Sequence, residues 1–218
     1  MAEDSETPNA APQSLNAELH AAAKAGDVVR LRGALAAGAD VHATQQTVNG
    51  ITRTPLARVV DPKNDVTEER RTACVRALLL AGASPSAPIT GRSGGHWVPL
   101  HDAAFLGLYT VCRLLLDAGA DVNVLSNLGV NDSPLHYAAA LNRNQKVVAL
   151  LLSRGAVDGP NVGSSSYLRK IRAAGGFAAY GKQHRAKLVA MLAPKFAHVL
   201  PPELVSVVIT FWAPVGLH

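Results

Sequence analysis

The stretch VPLHDAAF at residues 98–105 returns as SPLHYAAA at 133–140, with weaker copies in TPLARVV at 54–60 and ELHAAAKA at 18–25. An apolar run and then a glycine follow each copy: LRGALAAGADV, VRALLLAGASP, CRLLLDAGADV and VALLLSRGAVD. This places Gly38, Gly82, Gly119 and Gly155 in one slot. A fixed internal period of this kind marks a chain of similar units, each burying its apolar flank against the next.

One unit can be read residue by residue. Thr54 or Ser133 offers a hydroxyl to the free amides that open a helix, and Pro55 or Pro134 needs no amide partner at the first helical position. Leu56, Leu100 and Leu135, with Ala103, Ala104, Ala138 and Ala139 three and four residues on, form a narrow apolar stripe that lets neighbouring helices approach closely. A second helix carries Val111, Leu114 and Leu115, or Val147, Leu150 and Leu151, at the same spacing. The closing glycine ends it in a left-handed conformation, and ADVN after Gly119 begins a β-turn finger.

The opening Pro-Leu-His and the period resemble the ankyrin repeat, over residues 15–157. The resemblance implies an all-α fold, an ankyrin-repeat α-solenoid of about four stacked helix-turn-helix units with β-turn fingers, which binds another protein through the concave face of fingers and inner helices. It also implies that His20, His101 and His136, one per unit, bond a neighbouring Ser or Thr and the loop backbone. Rings arranged in this way form a ladder and do not converge on a metal or a substrate. Carried over by register, the partner-facing positions are Ile51, Arg53, Trp97, Phe105, Leu106, Asp132 and Leu141. Trp97 has two readings, an exposed anchor or a cover for its own glycine-rich finger.

The second unit departs from the pattern. Ala57 occupies its histidine slot, and an insertion in DPKNDVTEERR (61–71) predicts a protruding, solvated loop between its helices. Two fingers, TQQTVNGITRT (44–54) and SPSAPITGRSGGHW (84–97), are enlarged, which makes them the natural contact surface. GRSGGH lacks the Gly-Lys-Ser/Thr ending of a phosphate loop, and no HExxH, CxxC, GxSxG or paired-carboxylate pattern occurs. Neither an enzyme, a metal nor a cofactor is expected.

The chain has 218 residues, 48% of them apolar, enough for a sizeable core. Residues 1–14 are polar and acidic, which predicts disorder and no secretion signal, and no apolar run approaches the roughly 18 residues of a membrane span. The expected location is the cytoplasm, with the nucleus as the alternative. Cys74 and Cys112 sit in apolar helical runs and read as small buried thiols. The net charge of +5 is concentrated where no Asp or Glu occurs, between Asp158 and Glu203. Residues 158–196 read as a degenerate capping repeat whose basic face is solvated or, less in keeping with its lack of a motif, touches nucleic acid.

The last segment, 197–218, contains LPPELVSVVITFW (200–212). It resembles the first helix of an F-box, in the truncated form found at the end of pox-type ankyrin proteins, since six residues after Trp212 leave no room for the full domain. The resemblance implies that Leu200, Pro201, Glu203, Leu204, Val208, Ile209, Phe211 and Trp212 dock the linker subunit of a cullin-based ubiquitin ligase, making the repeats a substrate-recruiting arm. The other reading is that Leu204, Val207, Val208 and Phe211 pack over the apolar edge of the last repeat. The protein is then a scaffold or inhibitor.

Overall fold

The computed structural model describes residues 10–47, 49–91, 96–126, 132–140, 144–158 and 166–196, together with Pro201, Leu204 and Val207. Helices come in successive pairs: α1 (Ala10–Ala25) with α2 (Val28–Ala36), α3 (Pro55–Val59) with α4 (Glu68–Leu80), α5 (Pro99–Leu106) with α6 (Tyr109–Asp117), α7 (Pro134–Ala140) with α8 (Gln145–Ser153), and α9 (Ser166–Ala173) with α10 (Phe177–Phe196). Helix α1 begins inside the stretch expected to be disordered. Pro12 falls in its first turn, where a missing amide costs nothing.

The pairs stack on one another. First helices pack α1 on α3 and α5 on α7, second helices run α2 on α4 on α6 on α8, and α10 lies against α8. One continuous core results, in which Leu19, Leu56, Leu100, Leu135, Leu151 and Leu168 are fully buried. The alanines of the stripe, Ala103, Ala104, Ala138 and Ala139, are buried with them. Both cysteines are buried and free. Burial pushes the Cys74 thiol up to about 11 and raises that of Cys112 as well.

Sequence-local chemistry sets the helix ends. Thr54 Oγ1 accepts from the Ala57 amide at 3.3 Å behind Pro55, and Asp27 Oδ1 accepts from Val29 and Arg30 at 3.1 Å each. The four slot glycines carry φ of 96°, 90°, 91° and 88°. Each donates to the carbonyl three residues back, as Gly119 does to Leu116, and the residue after it reaches five back, as Ala120 does to Leu115. Among the described residues nothing lies within 4 Å of a Cβ built at these positions, so backbone conformation calls for glycine there. Gly107 differs, because its Cβ would lie 2.3 Å from Asn144 Oδ1. The Asn144 amide nitrogen donates to the carbonyls of Ala104 and Phe105 at 3.1 and 3.0 Å, closing the end of α5 from the start of the next unit.

The enlarged fingers form more than turns. They make β1 (Gln45–Gln46), β2 (Thr52–Arg53), β3 (Ile89–Thr90) and β4 (His96–Trp97), an antiparallel sheet in chain order. Gln45 pairs with Arg53 and Ile89 with Trp97 within the two hairpins, and Thr52 pairs with Thr90 between them. The β-branched residues Ile51, Thr52, Ile89 and Thr90 favour extended backbone, and length enough to pair turns two fingers into one small sheet. The described residues are mostly helical, and this sheet is the addition to the expected all-α architecture.

The insertion of the second unit is solvated at Pro62, Lys63, Asp65 and Thr67, as expected, but it is not loose. It is pinned, with Asp61 5% exposed and Arg71 3% exposed. The Arg71 guanidinium donates to the carbonyls of Val59, Asp61, Asn64 and Val66, and Asn64 Nδ2 donates to Arg58 O at 2.6 Å. A single buried cation therefore satisfies backbone acceptors that a solvated loop would leave to water. No helix among the described residues is long and apolar enough to cross a membrane.

Candidate binding surface at the finger roots

Two of the three histidines do the same work. His20 Nε2 lies 3.0 Å from Ala43 O and His101 Nε2 lies 3.2 Å from Val124 O, each bonding a finger carbonyl 23 residues ahead. His101 Nδ1 also accepts from the Val98 amide at 3.2 Å, which fixes Nε2 as the protonated nitrogen and replaces the hydroxyl cap that valine cannot provide. Burial holds the imidazole of His101 down at about 4 and lowers that of His20. His136 is different: its Nδ1 lies 3.3 Å from Asp132 Oδ1, and its side chain is 27% exposed. Ser133 Oγ accepts from the His136 backbone amide at 3.4 Å.

The second unit, without a histidine, centres on charge. Arg53 Nη1 donates to Asp102 Oδ2 at 2.9 Å and to Ala57 O at 3.3 Å, while Arg53 Nε lies 3.3 Å from Asp61 Oδ2. Arg58 Nη1 is 3.9 Å from the same Asp61 oxygen, and its Nη2 donates to Gln45 Oε1 at 3.4 Å. All four ionic side chains are at least nine-tenths buried. The second Asp102 oxygen accepts from the Trp97 indole at 2.9 Å. Burial pushes the Asp102 carboxyl up to about 6, with the Arg53 guanidinium pulling the other way.

Trp97 is turned inward. Its ring centroid lies 5.1 Å from that of His101 and 4.7 Å from that of Tyr137. An analogous bond sits one unit on, where Tyr137 donates to Asp132 Oδ2 at 3.3 Å. Between the hairpins and the inserted loop lies a cavity of about 270 Å³. Ile51, Ile89 and Trp97 wall it from the sheet, Pro62 and Lys63 from the loop, and the Arg53–Asp102 pair lines its base.

The structure therefore divides the predicted partner-facing residues. Ile51 and Trp97 meet at the cavity, whereas Phe105, 39% exposed, and the half-buried Leu106 lie at the end of α5. Arg53 and Asp132, each 8% exposed, are inside the finger roots and not on the open face: Arg53 is ion-paired with Asp102, and Asp132 accepts from Tyr137 and lies beside His136. Leu141 falls outside the described residues, as do Leu200, Glu203, Val208, Ile209, Phe211 and Trp212 of the tail. Pro201, Leu204 and Val207 are exposed, and the Leu204 amide donates to Pro201 O at 3.0 Å.

Sequence reasoning missed Asp61, Asp102, Arg58 and Arg71. The available signal was the empty histidine slot at Ala57 with three charges, Arg53, Arg58 and Asp61, crowded around it. Among the described residues no three His, Cys, Asp or Glu side chains are grouped to hold a metal ion.

No curated protein matches the chain. The model of the ankyrin repeat family matches residues 96–127 and 131–163, which span β4 to α6 and then α7 and α8. Residues 96–163 thus match two ankyrin repeats, a family of non-enzymatic protein–protein interaction modules.

Proposed function

We propose that the whole stack from 15 to 157 is an ankyrin solenoid, capped by residues 158–196, which recruits another protein through its finger roots. The observation that carries this is the cavity beneath the zipped hairpins: apolar walls over a base of fully paired charges suit an inserted partner side chain. The pairing also keeps Arg53 and Asp102 from moving toward a wrong ligand. The sheet fixes the relative positions of two fingers that would otherwise move independently.

The tail at 197–218 supplies the second half of the reading, a docking helix for the linker subunit of a cullin-type ubiquitin ligase. Its support is the motif itself and the exposure of Leu204 and Val207, at 48% and 62%. One observation favours the scaffold reading instead: Leu188, Val189, Leu192 and Ala193 form a small apolar patch on α10, apart from the main core, that a covering helix would bury.

Binding of purified linker subunit to the full chain and to a chain lacking 197–218 separates the two. The adaptor reading expects binding that vanishes with the tail while the melting temperature stays within a few degrees. A large drop in melting temperature with no linker binding by either chain assigns the tail to capping. For the finger roots, Ile51→Glu with Lys63→Glu is expected to release the recruited protein without altering the melting temperature. Retention of that protein at unchanged affinity would remove the cavity from the interface.

A further inference from the structure

A second hollow, of about 560 Å³, lies between α9 and α10 at the opposite end from the finger sheet. We propose that it binds a phosphate monoester of a molecule that also carries a flat aromatic ring. Its volume is that of small-molecule sites, which run from about 300 to 1,000 Å³.

Charge is the first argument. Lys170 from α9 and Lys187 from α10 both line the hollow, and among the described residues neither makes an ion pair. Among the described residues no acidic side chain lines it, and none occurs in the sequence from 159 to 202. The nearest acidic residue before that stretch, Asp158, is held by Arg172 through two bonds of 2.7 and 2.6 Å. Two ammonium groups facing one hollow repel each other until an anion enters.

Donor geometry is the second. Tyr167 is 6% exposed, forms part of the wall, and among the described residues its hydroxyl has no hydrogen-bond partner. Gln183 and His184 add further groups able to donate. A carboxylate offers two oxygens to such a set, whereas a phosphate monoester offers three with nearly two charges. The hollow also has a flat aromatic wall. Tyr180 and His184 stack with centroids 5.8 Å apart and planes 15° from parallel, and Tyr167 meets Tyr180 edge-on at 5.6 Å. An aromatic ring on the phosphate's carrier extends that stack.

The test is calorimetric titration of the full chain with inorganic phosphate, phenyl phosphate, adenosine 5′-monophosphate and a single-stranded oligonucleotide. The expected result is one saturable site for phenyl phosphate or the nucleotide, at least tenfold tighter than inorganic phosphate. The tighter of the two names the source, an aryl phosphate such as a phosphorylated tyrosine or a nucleotide. Lys170→Met with Lys187→Met is expected to weaken that site tenfold or more at unchanged melting temperature, since both side chains are exposed. No saturable binding of any phosphate, or binding indifferent to the two lysines, overturns the proposal. Inorganic phosphate binding as tightly as the ring-bearing esters overturns the role of the ring. Oligonucleotide binding that falls steeply with salt, without a monoester site, assigns the face to nucleic acid instead.

Discussion

The same joint between an inner helix and its finger is built two ways. In the first and third units a neutral imidazole reaches a carbonyl 23 residues ahead, as His101 reaches Val124. In the second unit Ala57 is too short to reach anything, and Arg53, Arg58, Asp61 and Asp102 fill the space with buried charge. Removing one partner of a buried neutral bond costs about 1–3 kcal/mol. A buried ion network is different, because each partner exists at the expense of solvation that the others restore. The ionic joint also lies where two fingers zip into one sheet, so it secures two units at once.

Breaking the ionic joint is the strongest test. Asp102→Ala strands Arg53 without its 2.9 Å partner and frees the Trp97 indole, and is expected to cost about 3–5 kcal/mol in urea denaturation. A loss under 1 kcal/mol would mean that water replaces the carboxylate and that the site is not closed.

Acid separates the joints further. The imidazole of His101 falls from 6.5 when unfolded to about 4 when folded, so its stabilising contribution is complete above pH 6.5 and is lost as pH falls toward 4. At about 1.4 kcal/mol per pH unit this amounts to about 3 kcal/mol. Asp102 works in the opposite sense. Its folded carboxyl lies near 6 against 3.8 unfolded, so it favours the folded state as pH falls through that window. His101→Leu is therefore expected to reduce the loss of stability between pH 6.5 and 4, leaving the smaller share due to His20, and Asp102→Asn to steepen it. Identical pH profiles for the three proteins would show that neither group titrates with folding.

The weakest joint sharpens the comparison from the other side. His136, partly exposed beside Asp132, is expected to cost about 1 kcal/mol when changed to Ala, read as a small shift in melting temperature. A cost as large as that of Asp102 would place His136 in the buried network.

How much of this the sequence announced depends on range. The helix pairs, the alanine stripe and the four glycine exits were legible because each rests on residues three to five apart, as in Gly119 and Leu116. The histidine slot was legible as a slot, though its partner was not, since Val124 is 23 residues away and is bonded through its backbone. The pairing of Thr52 with Thr90 and the Arg53–Asp102 bond, 49 residues apart, depend on how units stack, which local pattern does not encode. Arg71 misled for a related reason: in a run of charges it read as solvent-facing, yet three carbonyls of the inserted loop and that of Val59 at the end of α3 converge on it.

The Asn144 bonds to Ala104 and Phe105 have a counterpart at the other end of the stack, where Arg70 Nε donates to Gly26 O at 3.2 Å. In both cases a helix is finished by a side chain that is translated about 40 residues later. A chain emerging from the ribosome N-terminus first therefore holds α1 and α5 with open carbonyls until the following unit arrives. Nascent protein halted after residue 140 should be more easily cleaved by protease near Phe105 than the released chain, and an early stop there leaves an unfinished edge for the cell's quality control to recognise.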